Sequence, residues 1–372
     1  MVCIVPVRKK SELRAFVRFP HRLYEGDPRW VPPLDMDVKE RLDVGRNPFF
    51  EHAERELFLA YRGDELAGRV AAIVDRNHNA FHGEKVVFFG MYESVDDAGV
   101  ARALLEAVEA WGRERGQDIL RGPVNLSLND ECAFLYEGYD SPPAVMMPYN
   151  PPYYDGLMTA AGLAKAKDLY AFFMDRNFVV DPKVRMVIEK TKSAFPDLVI
   201  RSFDRKLWRE DSEKIKAVYN RGWERNWGFV PWTDKEMDAT VKKLLSLADL
   251  RIVVIAENKD QPVGFAFALP NYNEILIKLN GRLLPFGFLR LLLGRKKIKG
   301  VRIVVFGIVP ELWKTGLSYL LYEKLLENLL AASYEWAETS WQLEDNEPVN
   351  RFVQSVGGRR YKTYRIYERK IP

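Results

Sequence analysis

Cysteine is nearly missing from this sequence: 372 residues hold two, Cys3 and Cys132. Two lone thiols form neither a disulfide framework nor a metal-ligand spacing, and such scarcity fits a reducing compartment. Histidine is scarce too, at four. His78 and His82 share the stretch DRNHNAFHGEK, a strand connection with no third ligand, so no metal is expected. No run of about 18 apolar residues is present, the length a spanning helix needs. The opening residues MVCIVPVRKKSELRAF lack the apolar core of a secretory signal. A cytoplasmic protein is expected, at most peripheral to a membrane. An excess of one charge is missing as well. Lys and Arg number 56 against 52 Asp and Glu, a net +4, too little to point to a nucleic-acid partner.

What is present is length. At 372 residues the chain exceeds one compact domain of ordinary size, so two are expected. Its 47% hydrophobic and 29% charged residues are usual for a globular protein. The two halves repeat a pattern. Residues 58–74, FLAYRGDELAGRVAAIV, read as strand, polar turn, strand, and so do residues 252–268, IVVIAENKDQPVGFAFA. Ala60 answers to Ala256 and Gly68 to Gly264, each 196 residues on. Two apolar strands follow, KVVFFGMY (85–92) and VRIVVFGIV (301–309), with Gly90 and Gly307 offset by 217. An amphipathic helix comes after each, over 97–115 and 313–331. Gly162 and Gly358 restore the offset of 196. On this alignment the second copy gains about 21 residues between its third and fourth strands, and the first copy gains as many after its fifth. Residues 176–198 read as a closing strand and connector.

In this order of elements, the chain resembles the GNAT acyl-CoA N-acyltransferases in tandem form. The residues that carry the resemblance are VRIVVFGIVPELWKTGLSYLLYEKLLENLL and YEWAETSWQLEDNEPVNRFVQSVGGRRYKTYRIYERKI. It implies an α/β fold of two tandem domains, 1–180 and 196–372, each a mostly antiparallel mixed sheet of six to seven strands flanked by helices. In that family the fourth strand meets the pantetheine arm of CoA, and the next loop wraps the diphosphate with an Arg/Gln-x-x-Gly-x-Gly/Ala pattern. Trp313, Lys314, Thr315, Gly316, Leu317 and Ser318 stand there in this sequence. Gly316 and Ser318 fit the pattern, whereas Trp313 replaces the basic or amide residue. Ile308, Val309 and Asn346 complete the contacts implied for acetyl-CoA or a longer acyl-CoA. The physics of the loop agrees, because a helix N-terminus presents unpaired N–H groups and the positive end of a dipole. A glycine there allows close backbone approach.

The tyrosine that often protonates the leaving thiolate in GNAT enzymes is Val353 here. Tyr319, Tyr322, Tyr364 and Tyr367 are the nearby substitutes, and Glu311 and Glu338 are candidate bases. The first copy carries Glu93, Asp96 and Asp97 where a diphosphate would sit, which opposes binding; 1–180 is therefore expected to have lost the CoA site. The implied reaction moves an acyl group, acetyl in first place, from CoA to an amine of a small molecule or peptide. Two rivals stand beside it: an aminoacyl transferase of the FemABX kind, and a ligand-binding protein without catalysis.

Two further segments bear on partners. Residues 131–154, ECAFLYEGYDSPPAVMMPYNPPYY, either plug an interface or line an acceptor pocket with Tyr136, Tyr139, Met147 and Tyr149, near Asn125, Asn129 and Asn150. Residues 277–300, IKLNGRLLPFGFLRLLLGRKKIKG, join leucines and phenylalanines to Arg290, Arg295, Lys296, Lys297 and Lys299. That composition suits a membrane surface, an acidic carrier protein or a long acyl chain; a helical hairpin covering the core is the alternative. Pro285 predicts a break with a short helix after it.

Overall fold

The computed structural model describes residues 1–176, 181–223, 226–283 and 285–371. Leu284 of the apolar cluster and residues 177–180 of the connector lie outside them. In chain order the first half runs β1 (Val2–Pro6), α1 (Lys10–Leu23), α2 (Asp35–Arg41), β2 (Ala53–Arg62), β3 (Glu65–Asp75), α3 (Arg76–His82), β4 (Val86–Ser94), α4 (Ala98–Arg113), β5 (Ile119–Gly122), β6 (Phe134–Glu137), α5 (Tyr154–Ala160) and β7 (Ala164–Asp175). The second runs α6 (Pro182–Ala194), β8 (Leu198–Ser202), α7 (Trp208–Trp223), α8 (Asp234–Leu247), β9 (Val253–Asn258), β10 (Gln261–Pro270), α9 (Asn273–Leu276), α10 (Gly287–Gly294), β11 (Gly300–Ile308), α11 (Leu317–Ala331), β12 (Trp336–Leu343), α12 (Glu347–Ser355) and β13 (Arg359–Lys370).

Contacts gather the chain into two compact units. The first comprises Met1–Leu169, Asn273–Leu293 and Lys362–Pro372; the second comprises Tyr170–Tyr272 and Gly294–Tyr361. Compactness is a separate matter from where two repeat copies begin and end, for which 1–180 and 196–372 remain our proposal.

In the first unit the strands lie in the order β1, β2, β3, β4, β5, β13. All neighbours are antiparallel except β4 and β5, which run parallel and need a crossover, supplied by α4. The helix forms because Val100, Leu104, Leu105 and Val108 recur at helical spacing, and all four are buried against Val70, Ala72, Val87 and Phe89 of the sheet. Each such side chain contributes about 1.5–3 kcal/mol relative to exposure. The last strand of the chain completes this sheet, with Tyr367 opposite Gly122 and Lys370 opposite Ile119.

The second unit repeats the plan. Its order is β12, β11, β10, β9, β8. Again one neighbouring pair, β11 and β12, is parallel, and α11 makes the crossover. The hairpin registers confirm the repeat at residue level: Ala60 pairs with Gly68, and Ala256 with Gly264. They also correct one equivalence. Arg69 lies opposite Glu93, while Phe265, which is 196 residues on from Arg69, lies opposite Gly307. Gly307 therefore answers to Glu93, not to Gly90, and the fourth-strand offset is 307 − 93 = 214 rather than 217. The two glycines misled because each strand carries a bulge at a different place, between Arg69 and Ala71 in one hairpin and between Phe267 and Ala268 in the other. The segment inserted between β10 and β11 holds α9 and α10, and α10 starts two residues after Pro285, as the proline requires.

Candidate acyl-CoA site

β11 and β12 pair from Gly300↔Trp336 to Ile303↔Thr339, and there the ladder ends. Beyond it Val304–Gly307 are partly exposed, as are Trp341–Leu343 of β12. Two parallel strands that part company leave an unpaired backbone edge on β11. Backbone groups alternate from side to side along a strand. The Val309 N–H donates to Val263 O at 2.9 Å on the β10 side, so the N–H groups of Ile308 and Phe306 point to the open side. The Ile308 carbonyl, also on that side, accepts from the Trp313 ring N–H at 3.0 Å.

Aromatic residues border this edge. The Phe306 ring stacks on Phe352 of α12 at 5.5 Å, and Tyr319 of α11 meets Phe352 edge-on at 5.0 Å. On α7, Trp223 stacks on Tyr219 at 4.9 Å and covers Gly307 so closely that a Cβ there would lie 2.1 Å from the indole. A residue other than glycine at 307 would have to displace Trp223.

The loop to α11 is a tight turn. Gly316 adopts φ +88 and caps the helix without any side-chain cap, and no acidic residue lies in the first turn. Lys314 is exposed and Ser318 partly so. The close approach that Gly316 permits is to the protein itself: a Cβ would stand 2.3 Å from Thr191 Oγ1 and 3.2 Å from Val187 on α6. Thr191 Oγ1 donates to Val187 O at 2.7 Å and to Thr315 O at 3.3 Å. Leu317 is fully buried. Asn346 caps α12, accepting from Val349 N at 3.4 Å.

The four acid–base candidates that lie in the second unit are not brought together. Glu311 is exposed and ion-paired to Arg221 at 2.9 Å, and its own backbone N–H and that arginine hold its carboxyl below the usual range. Glu338 is fully buried opposite Arg302, six residues back along β11 from Ile308, about 20 Å at strand rise. It accepts from Ser340 Oγ at 2.5 Å and from the Tyr361 hydroxyl, and Ser340 Oγ accepts from Arg302 Nε at 2.9 Å. Tyr322 donates to Val356 O at 3.1 Å, and burial pushes its phenol up to about 12. Tyr319 lies 3.1 Å from Ser355 Oγ, partly exposed beside Phe306 and Phe352. Of the four, Tyr319 is the one at the open edge.

Tyr364 and Tyr367 belong to the first unit; Tyr367 donates to Asp155 at 2.7 Å. Sequence reasoning missed Phe306, Trp223, Thr191 and Asn350. The Asn350 amide donates to Leu343 O at 3.0 Å, while its Oδ1 is buried with no partner among the described residues. Its spacing of four from Asn346 was the available signal.

The corresponding edge of the first unit is closed. The β4–β5 ladder ends at Phe88↔Arg121, and the chain beyond β5 fills the opening. The Val124 N–H donates to Phe89 O at 2.8 Å, and Asn125 Oδ1 accepts from Met91 N at 2.7 Å. A Cβ on Gly90 would lie 1.9 Å from Val124 O. Every β4 residue but Glu93 is buried. Asp97 caps α4, accepting from Gly99 N at 2.8 Å and Val100 N at 3.2 Å. Glu93 faces inward: Tyr24 and Tyr154 donate to it at 2.8 and 2.7 Å, Arg69 stands 3.7 Å away, and burial raises its carboxyl.

The four acceptor candidates of this unit point to separate partners. Tyr136 lies under Arg365 at 3.6 Å, and Tyr139 donates to Leu135 O. Met147 is buried, and Tyr149 donates to Asp27 at 2.7 Å.

This arrangement, a splayed parallel pair beside a helix crossover and used twice, is that of GNAT proteins. The chain has the GNAT fold in tandem, and it belongs to one family with the two curated relatives that follow. A tandem GNAT protein from the clavulanic acid biosynthesis pathway shares the fold with a TM-score of 0.57 at 11% identity, over 100% of this chain and 99% of that one. Among curated proteins, the chain is 34% identical to Protein YghO of Escherichia coli (strain K12) over 97% of its length and 94% of the relative's. It is 35% identical to the bacterial ceramide synthase of Caulobacter vibrioides (strain NA1000 / CB15N) over 99% and 97%. No protein-family profile matches the chain.

Proposed function

We propose that the protein is an acyl-CoA-dependent N-acyltransferase whose acyl-CoA site lies in the second unit, along β11 and the start of α11. The single observation behind the choice of unit is the partly exposed edge Val304–Gly307, against the sealed β4. The residues suit the substrate. Phe306 and Ile308 N–H groups on the open side can bind pantetheine carbonyls or the developing oxyanion. The glycine-capped start of α11, with Lys314 near and no acid in its first turn, suits a diphosphate. The amine nitrogen bonds to the acyl carbon, the C–S bond breaks, the nitrogen loses a proton and the thiolate gains one; amide and CoA thiol leave. Tyr319 is the phenol best placed to give that proton.

For the acceptor, the name of the Caulobacter relative supports a long-chain lipid amine, since a ceramide is an N-acylated long-chain amino alcohol. The apolar Val304, Val305 and Phe306 beside the edge favour a fatty acyl-CoA over acetyl-CoA. Calorimetry with acetyl-CoA and palmitoyl-CoA, followed by thiol release with sphinganine and with small polar amines, tests this. Palmitoyl-CoA turnover on sphinganine is the expected result. Turnover with polar amines alone replaces the lipid acceptor, and binding without turnover leaves a ligand-binding protein. No binding to either thioester ends the transferase reading.

A further inference from the structure

The segment between β10 and β11 has an anchored base and an uncovered tip. At the base, Asn273 donates to Pro143 O and Ala144 O at 2.9 and 3.0 Å. Asp35 N donates to Gly281 O at 3.1 Å, and His21 Nδ1 lies 3.2 Å from Asn280 Oδ1. At the tip, Phe286, Phe288, Leu289, Leu292 and Leu293 are about half to three-quarters exposed. Exposed leucines and phenylalanines in one short element are not what a soluble surface normally carries. No carboxylate appears between Ile275 and Pro310. Among the described residues, Lys278, Arg282, Arg290, Arg295, Lys296 and Lys297 form no ion pair, whereas cations elsewhere commonly do, as Arg201 does with Asp211 at 2.6 Å. The segment thus presents apolar side chains beside uncompensated positive charge.

We infer that α10 and the basic turn after it are a docking element for an anionic lipid bilayer. Phe286, Phe288, Leu292 and Leu293 enter the interfacial layer, and Arg290, Lys296 and Lys297 meet acidic headgroups. With eight residues α10 is about 12 Å long, so it lies on the membrane and does not cross it. No helix among the described residues is long and apolar enough to span. Charge decides the occupant: a second copy of this chain would bring like charge to the same patch, whereas acidic headgroups complement it. The inference goes beyond acyl transfer and does not depend on it.

The test is cosedimentation of the full chain with phosphatidylcholine vesicles and with vesicles enriched in phosphatidylglycerol, without any acyl-CoA. Wild type should sediment with the anionic vesicles at low salt and leave them at about 0.5 M, where screening is strong. The change Leu292→Glu with Leu293→Glu should abolish binding. Lys296→Glu with Lys297→Glu should reduce it by roughly fivefold or more per residue, while Lys296→Arg with Lys297→Arg keeps it. Thermal melting by circular dichroism shows that each variant is folded. Wild type that stays in solution with anionic vesicles overturns the inference, as does a leucine variant that binds undiminished. A wild-type dimer in ultracentrifugation that the leucine variant dissociates reassigns the patch to self-association.

Discussion

The fourth strands of the two units invite comparison because they have the same kinds of neighbour and differ in what lies against their free edge. β4 and β11 each pair with an antiparallel hairpin strand on one side and a parallel strand on the other, and each carries one bulge. In the first unit Pro123–Asn125 continue along the edge and take the strand's free groups, and Asp97 takes the first N–H groups of the helix. In the second unit the N-cap is Gly316, with no side chain to offer, Thr315 Oγ1 accepts only from Leu317 N at 3.4 Å, and β11 stays partly exposed past Ile303. Val124, Asn125 and Asp97 occupy in the first unit the backbone groups whose counterparts on β11 and α11 we propose for the ligand.

The sharpest way to break the comparison is a charge at the helix start. Ser318 is the second residue of α11, and a glutamate there favours the helix through its dipole while opposing a diphosphate. Ser318→Glu should weaken acyl-CoA binding on the order of 100-fold by calorimetry, the effect of one added charge a few ångströms from phosphate at an effective dielectric near 20. Gly99→Glu, at the same position of α4, should leave binding unchanged. Equal losses in both variants, or none in either, would remove the distinction between the units. Gly316→Glu is the poorer choice, since the side chain meets Thr191 before any ligand.

A second difference is titration. All four histidines lie in the first unit. Burial, with His82 and Arg121 near by, pulls the His78 imidazole down to about 4. The unfolded chain takes up that proton near pH 6.5 and the folded chain only near 4, so stability falls as the pH drops through this window. Between pH 7 and pH 5 the loss from this group should be about 2 kcal/mol. Denaturant unfolding at both values, repeated with His78→Gln, should show the slope reduced by that amount. Glu93 acts in the opposite sense. Its raised carboxyl keeps a proton that the unfolded chain gives up, so its contribution declines as the pH rises past the ordinary glutamate range.

Opening the sealed edge should cost stability without creating a site. Asn125→Ala leaves the Met91 N–H without its 2.7 Å acceptor, a loss of about 1–2 kcal/mol. Asp97 still caps α4, so acyl-CoA binding should not appear in the first unit. A second calorimetric site in this variant would show that Asn125 alone closes β4.

Much of this comparison was legible in the sequence, and the exceptions are physical. The hairpins 58–74 and 252–268 announced themselves because a tight turn fixes register locally, and Ala60↔Gly68 needs no distant information. Gly90 and Gly307 misled because a bulge shifts register without changing residue type. Asp97 was legible as an acid before a helix, yet its work is capping rather than repulsion alone. Glu93, read as an acid at the diphosphate position, turns inward because Tyr24 and Tyr154, 69 and 61 residues away in the chain, supply its donors. The contact of Thr191 with Gly316 and the burial of Glu338 depend equally on distant partners, which no local pattern encodes.

The smallest expected effect separates two tyrosines three residues apart on α11. Tyr322 is buried, its phenol is pushed up to about 12, and its proton is committed to Val356 O at 3.1 Å. Tyr319 is partly exposed at the open edge, and its partner is Ser355 Oγ, which can donate or accept. Tyr322→Phe should therefore lower stability by about 1 kcal/mol, the net worth of one buried hydrogen bond, with kcat unchanged. Tyr319→Phe should leave the melting temperature near wild type and lower kcat several-fold without raising KM, as removal of a thiolate acid would. If Tyr322→Phe loses turnover while Tyr319→Phe keeps it, the acid role passes to Tyr322. If both keep it, the leaving thiolate takes its proton from solvent, and the open edge of β11 alone carries the difference between the two units.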